Sequence, residues 1–266
     1  MRTLKDENID AVTKKAWEDN WRGVEIETIM EIFRYPRVQQ HMRIYQKYLP
    51  KDRKVLEGGC GLGPYLIQLK RLGYDVLGVD YNAAPLRKLQ EYDRALPVFC
   101  ADVKDLPFRD GYFGGYLSLG VIEHFTEGPE RSIKEAWRVL DEGGIFIVKV
   151  PRTSIFARIA YPATFLKQNG FMRKLFGKAP LEHYWEQHFS VKELSGVLAK
   201  NGFEILEITP VDHEHALMTF CALLRDKGSY DGANRFGIAL SRFCMRYMPW
   251  LTAAEVIFVC RKRIVW

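Results

Sequence analysis

Short apolar runs alternate with amphipathic stretches through the middle of the chain, and their spacing sets the expected architecture. Lys54–Gly58, Asp75–Asp80, Pro97–Cys100, Tyr112–Leu119 and Gly144–Val150 have strand length and apolar interiors. Between them, Tyr65–Leu72, closed by Gly73, and the stretches near Pro85–Arg94 and Glu130–Leu140 carry apolar residues at helical spacing. Parallel strands need long crossovers, and helices in those crossovers cover both faces of the sheet. The pattern therefore predicts an α/β fold with a doubly wound, mostly parallel sheet.

The flanks read differently. Val24–Tyr48 predicts a helical stretch ending before Pro50, behind the aromatic pair Trp17 and Trp21, so residues 1–50 are expected to form an N-terminal helical region. After Val150 the rhythm stops for more than thirty residues and resumes at Ser190-Val-Lys-Glu193, the spacing of a capping box, with the helix ending near Gly202. Phe203–Thr209 and Ala254–Cys260 predict two more strands, the last antiparallel, with a helix around Arg235–Met248 between them. The expected organisation is a core of residues 51–151 and 188–266, an inserted basic, aromatic helical cap at 152–187, and a candidate second cap segment at 211–251.

At 266 residues and 47% apolar, the chain is long enough for one α/β core plus a small cap. No run approaches the ~20 apolar residues that cross a bilayer; Phe236–Cys260 is interrupted by Arg242, Arg246 and Glu255. The start, Met1-Arg-Thr-Leu-Lys-Asp-Glu7, has no apolar signal core, so a cytoplasmic location is expected. Cysteines at 60, 100, 221, 244 and 260 form no C-x-x-C pair and have no histidine at zinc-ligand spacing. They are expected to be buried free thiols, and no metal is expected. The net charge of +6 is concentrated: Arg152 to Pro180 holds six basic residues and no acidic one. The positive field belongs to one segment, so composition does not call for a nucleic-acid partner.

The strongest motif is Val55-Leu-Glu-Gly-Gly-Cys-Gly-Leu-Gly63, an apolar strand entering a loop with glycines at 59, 61 and 63 ahead of a helix. Residues without side chains let backbone approach a ligand, and the following helix offers free N–H groups. A dinucleotide site wants G-x-G-x-x-G, whereas here the glycines fall as G-x-G-x-G and Pro64 follows. Glu57-x-Gly59-x-Gly61-x-Gly63 resembles the first motif of the class I S-adenosylmethionine-dependent methyltransferases, which have a Rossmann-like fold. The resemblance implies S-adenosyl-L-methionine as cofactor and S-adenosyl-L-homocysteine as product. It places Gly59, Cys60, Gly61 and Gly63 around the methionine part and Glu57 at its ammonium group.

Asp80 ends a strand seventeen residues beyond Gly63. By the same resemblance it accepts from the ribose hydroxyls, with Tyr81 beside it; the alternative is a helix N-terminal charge ahead of Asn82 and Pro85. Asp102 and Val103 match the position that meets the adenine, the alternative being an ordinary loop aspartate. Leu119 completes the implied cofactor contacts. Tyr116–Phe125 resembles the fourth strand and chamber loop, and Glu135–Gly144 with Ile145–Val150 resembles the helix, glycine turn and fifth strand of the quinone-biosynthesis-like, small-molecule branch. The likeness covers roughly Lys54 to Pro151. It departs from the family at Gly58, where a bulkier residue is usual, and at Gly114, where aspartate is more frequent.

Displacement at a sulfonium methyl requires alignment, exclusion of water and, for a hydroxyl acceptor, removal of a proton. Glu123 and His124 lie on the chamber loop, and His124, titrating near neutrality, is the candidate base; packing over the cofactor is the equal alternative. His183, Tyr184, Trp185, Glu186 and His188 precede the Ser190 helix. Of these, Tyr184, Trp185 and His188 are the candidates for substrate contact, against simple packing of Trp185. His213 and His215 follow the sixth strand without metal-ligand companions.

Ile155–Phe176 mixes aromatic residues with basic ones only, and the helix near Phe236–Met248 sets Arg235, Arg242 and Arg246 beside an apolar face. This suits a small-molecule or lipid-like acceptor with an acidic group, and peripheral contact with an anionic membrane. The alternative is a cap core with solvated arginines. An RNA methyltransferase is disfavoured by the lack of an Asn/Asp-Pro-Pro-aromatic motif and of a Pro-Cys nucleophile. A non-catalytic cofactor-binding subunit and a nicotinamide oxidoreductase are the remaining alternatives, and nothing in the pattern specifies an oligomer.

Overall fold

The computed structural model describes residues 15, 17, 19, 21, 23–156, 158–159, 186–229 and 231–264. Their strands are β1 (Val55–Gly58), β2 (Val76–Asp80), β3 (Val98–Cys100), β4 (Phe113–Leu119), β5 (Leu140–Pro151), β6 (Phe203–Val211) and β7 (Glu255–Lys262). They form one sheet in the order β3-β2-β1-β4-β5-β7-β6. β1 to β5 are parallel, and β7 runs antiparallel between β5 and β6. Chain order reverses at β1, whose neighbours are β2 and β4, and such a switch point opens a crevice at the carboxyl ends of the strands.

The helices are α1 (Ile26–Met30), α2 (Pro36–Tyr48), α3 (Pro64–Arg71), α4 (Ala83–Tyr92), α5 (Glu130–Val139), α6 (Val191–Lys200), α7 (His213–Phe220), α8 (Arg235–Tyr247) and α9 (Pro249–Thr252). Local sequence explains their starts. Pro64 opens α3, where its missing N–H removes no helical bond. Asn82 caps α4 by accepting from Ala84 N–H at 3.0 Å. Both halves of the capping box form at α6: Glu193 N–H donates to Ser190 Oγ at 3.1 Å, and Ser190 N–H to Glu193 Oε2 at 3.5 Å.

Each face of the sheet carries its own core. Tyr45, Leu66, Leu69 and Leu89 pack on the side of Leu117, Ile147 and Ile257. Ile133, Val139, Leu194 and Leu198 pack on the side of Leu56, Phe146, Phe203 and Phe258. Every such fully buried apolar side chain contributes ~1.5–3 kcal/mol, so the sheet is the rigid frame on which the strand-end loops are held.

The structure corrects four sequence expectations. Val24–Tyr48 is not one helix: a 3-10 turn at Glu31–Arg34 and an extended Tyr35 precede α2, because a residue before proline is driven out of helical conformation. β5 begins at Leu140, four residues early, absorbing Gly143 and Gly144 with a register shift against β4. α7 and α9 were not anticipated in the segment after β6. Cys60, Cys244 and Cys260 are buried, but Cys221 is only partly so, and Cys100 is exposed at the end of edge strand β3.

Both departures from the family pattern have a steric cause. A Cβ at Gly58 would lie 2.3 Å from the Tyr116 hydroxyl oxygen, and one at Gly114 would lie 2.5 Å from Arg53 Cβ. The Arg53 guanidinium is held by Asp141 at 2.7 Å.

Candidate active site

The carboxyl ends of β1, β2, β4 and β5 border a cavity of about 520 Å³. Glu57, inside β1, is 3% exposed, and its Oε2 has no hydrogen-bond partner. Burial without a compensating cation pushes its carboxyl up to about 8. In the loop that follows, Gly59 and Gly61 have φ of 72° and 53°, which side chains rarely adopt. A Cβ would also collide at both: 2.5 Å from Val121 Cγ2 at residue 59 and 3.0 Å from the Trp21 ring at residue 61. Backbone at Gly59, Cys60 and Gly61 is therefore what lines the cavity.

Asp80 shapes this loop. Its Oδ2 accepts from Gly61 N–H at 2.9 Å and its Oδ1 from Asn82 N–H at 2.8 Å, so one carboxylate joins the ends of β1 and β2. Burial raises its pKa and the two N–H bonds oppose the rise. Asp102 lies farther round the wall, accepting from Lys104 N–H at 2.9 Å, with Val103 buried beside it. Leu119 and Lys149, in register on β4 and β5, both line the cavity. Lys149 pairs with Glu255 of β7 at 2.5 Å. Trp17 and Trp21 stack with centroids 5.6 Å apart, and Trp17 meets His124 edge-on at 5.4 Å.

A second chamber of about 380 Å³ shares Trp17, Gly120 and His124 with the first. Its own walls hold Glu123, Arg152, Glu186, His188, His215 and Glu255 with the rings of Phe156 and Phe220. Glu123 is 3% exposed with an unpartnered Oε2, and burial, with Glu255 and Glu186 nearby, pushes its carboxyl up to about 8. Its carbonyl accepts from Gln187 N–H at 2.8 Å, which fastens the 186–190 segment here. His188 Nε2 lies 3.2 Å from Glu186 Oε1, raising the histidine and lowering the glutamate. Glu255 is pushed up to about 7, chiefly by burial, with Lys149 opposing.

Glu57, Gly59, Cys60, Gly61, Asp80, Tyr81, Asp102, Val103 and Leu119 thus meet at one cavity. Gly63 is not in that wall: a Cβ there would sit 3.0 Å from Leu89 Cδ1, so it serves the packing of α3 against α4. His124 stands between the chambers, while Glu123 and His188 line only the second. Tyr184 and Trp185 lie outside the described residues. His215 lines the second chamber, whereas His213 Nδ1 is 2.8 Å from Thr252 Oγ1.

Sequence reasoning missed Tyr65, Lys149 and Glu255, and it saw Trp17 and Trp21 only as an aromatic pair. The available signal was Lys149 itself, a single charge inside the apolar run Ile145–Val150, which a buried strand tolerates only when paired. Among the described residues, no group of three His, Cys, Asp or Glu side chains is arranged to hold a metal, and no helix is long and apolar enough to cross a membrane.

Residues 56–148 match the model of a methyltransferase domain family. A Mycolicibacterium smegmatis protein named probable S-adenosylmethionine-dependent methyltransferase is 25% identical over 177 residues, which cover 66% of this chain and 62% of that one. The probable tRNA methyltransferase 9B of Mus musculus is 37% identical over 122 residues, 44% of this chain and 25% of that one. The chain therefore spans less than two thirds of the length of these relatives.

Among solved structures, an S-adenosylmethionine-dependent methyltransferase from Methanosarcina mazei superposes with a TM-score of 0.60 at 18% identity, covering 84% of this chain and 98% of that one. The 1,6-didemethyltoxoflavin-N1-methyltransferase of Burkholderia thailandensis, with 1,6-didemethyltoxoflavin and S-adenosylhomocysteine bound, also gives 0.60, at 13% identity, covering 99% and 93%. These two share the fold. Residues 56–148, which hold the strands that build the first cavity and the glycine loop at its switch point, thus match a methyltransferase domain family, and the sheet around them has the fold of these S-adenosylmethionine-dependent methyltransferase structures.

Proposed function

We propose that the protein transfers the methyl group of S-adenosylmethionine to a small-molecule or lipid-like acceptor held in the second chamber. The observation that carries this reading is the junction of two unlike cavities at Trp17, Gly120 and His124. The first fits the cofactor: the unpartnered Glu57 oxygen suits an ammonium group, the bare Gly59–Gly61 backbone suits the methionine chain, and Asp80 keeps lone pairs for ribose hydroxyls. Asp102 and Val103 would hold the adenine edge. When bound, the cofactor supplies a methyl group on a positively charged sulfur.

The chain's own residues do the rest. Trp17 and Trp21 exclude water from the first cavity. His124, on the shared wall, takes a proton from a hydroxyl-type acceptor, and its edge contact with Trp17 orients the ring. Glu123 and His188 position the acceptor. The Burkholderia neighbour, which holds a small heterocycle, supports the small-molecule side of this reading. The 9B likeness covers 44% of this chain and 25% of that one. Helix α8 exposes Phe236, Phe243 and Tyr247 beside Arg235, Arg242 and Arg246, with no acidic residue from 232 to 254, which supports peripheral contact with an anionic membrane.

The test is calorimetry with S-adenosylmethionine and with NAD, followed by incubation with methyl-labelled cofactor and a cell extract. Binding of the first alone and a labelled product are expected. Cofactor binding with no labelled product against any extract would favour the non-catalytic subunit instead.

A further inference from the structure

The second chamber holds three carboxylates, and two of them are answered. Glu186 has His188 at 3.2 Å, and Glu255 has Lys149 at 2.5 Å. Glu123 has no ion pair among the described residues; its Oε2 is buried and unpartnered, and Lys149, already held by Glu255, relieves it only in part. A carboxyl taken out of water without a cation is costly to ionise, so the described residues of this chamber leave a place for one positive charge beside Glu123. Arg152 does not supply it: its guanidinium donates to the Trp250 carbonyl and lies 5.6 Å from the centroid of that ring. Beside Glu123 the chamber presents the aromatic faces of Trp17, Phe156 and Phe220, the last two 5.4 Å apart. Such faces hold an apolar body and attract an ammonium group.

We infer that the second chamber is a binding site for an organic ammonium compound with an apolar body, and that Glu123 receives its charge. The inference rests on the functional reading above, since it names the chemistry of the acceptor. It is opposite in sign to the acidic acceptor that the basic cap suggested. The Glu123 carboxylate takes one proton from the ammonium, which frees the nitrogen lone pair. That pair forms the new N–C bond while the S–C bonding pair stays on sulfur, and the methylated nitrogen ends with the single positive charge it began with.

Calorimetry on the full chain in the presence of S-adenosylhomocysteine tests this with three probes that share a ring and a short chain but differ in charge: phenethylamine, 2-phenylethanol and 3-phenylpropionate. The amine is expected to bind at least ~10-fold tighter than the alcohol or the acid. Glu123→Gln is expected to weaken the amine at least ~10-fold while affinities for the alcohol and for S-adenosylhomocysteine stay within about twofold, which also reports that the variant is folded. Equal or tighter binding of alcohol or acid, no binding of the amine, or an amine affinity unchanged by Glu123→Gln overturns the inference. In the extract experiment, labelled product retained on a cation exchanger supports it, and label confined to neutral or anionic fractions overturns it. Absence of S-adenosylhomocysteine binding defeats the functional reading instead and leaves the charge preference to be read on the probes.

Discussion

The two chambers share a wall but are made of different materials. Main chain and one bridging carboxylate shape one end of the first: Gly59, Cys60 and Gly61 form the loop there, and Asp80 ties it to the end of β2 through the N–H groups of Gly61 and Asn82. The second is made of side chains that titrate, with Glu123, Glu186, His188, His215 and Glu255 around aromatic rings. A backbone cradle is insensitive to side-chain substitution and suits a ligand that does not vary. A side-chain chamber can be re-specified by single changes while the backbone cradle beside it stays the same.

The sharpest way to break this division is Asp80→Ala. Loss of both loop N–H bonds and of the ribose acceptor should weaken S-adenosylmethionine binding ~100-fold, or ~2.8 kcal/mol by calorimetry, while phenethylamine binding changes less than about twofold. Equal losses in both would show one site where two are described. Glu57→Gln should weaken the cofactor ~10-fold. In the parent at pH 7, a carboxyl held near 8 must ionise to meet the ammonium, so binding should release about one proton, visible as a buffer-dependent heat. Affinity should therefore rise with pH up to about 8, and Glu57→Gln should abolish both effects.

His124→Ala tests the shared wall: turnover of a hydroxyl acceptor should fall ~10-fold with cofactor affinity within about twofold. Stability of the ligand-free protein carries the same signature. Glu57 and Glu123, held near 8, and Glu255, held near 7, keep protons that the unfolded chain has released above about pH 4.5. At these three sites the folded state then binds more protons, so they lower the denaturant midpoint as pH rises from about 4.5 to 8, against His41, His213 and His215, whose pKa values burial lowers. Glu207, held near 2 chiefly by Lys47, acts in the opposite sense and only below that window. Glu123→Gln should flatten the decline, and an unchanged slope would return Glu123 to ordinary ionisation. The smallest effect belongs to α8: flotation with anionic vesicles should show salt-sensitive binding that Arg242→Glu with Arg246→Glu weakens ~3-fold or more, and salt-insensitive behaviour would remove the membrane contact.

The first chamber was legible because its residues sit at consecutive strand ends inside one stretch, and each strand announces its own end. Asp80 follows Val76-Leu-Gly-Val79 and the glycines follow Val55-Leu-Glu57, so spacing along the chain maps onto neighbouring positions in space. The second was legible only at Glu123, His124 and His188, and the rest of it was not, for the converse reason. Glu255 comes near Glu123 only because β7 inserts antiparallel between β5 and β6, setting Pro151 opposite Glu255, a pairing no local pattern encodes. α7 escaped notice because it starts from Asp212, a non-glycine residue at φ 62° whose carboxylate is bound by Arg37 and His41 of α2 and caps nothing locally. Tyr35 is the opposite case: Pro36 is a sufficient local signal for the break, and the apolar periodicity on either side runs through it.

Gly58 carries a consequence for descent. The Tyr116 ring is 2% exposed and lies 5.3 Å from Phe146, so it has no room to swing away from residue 58. A larger residue at 58 and a tyrosine at 116 exclude each other on this backbone. In any lineage leading here from a bulkier residue, the glycine arose before the tyrosine or together with it. Reversion at 58 is now closed unless 116 shrinks first, so the two positions form a ratchet and should be inherited, grafted or recombined only as a pair.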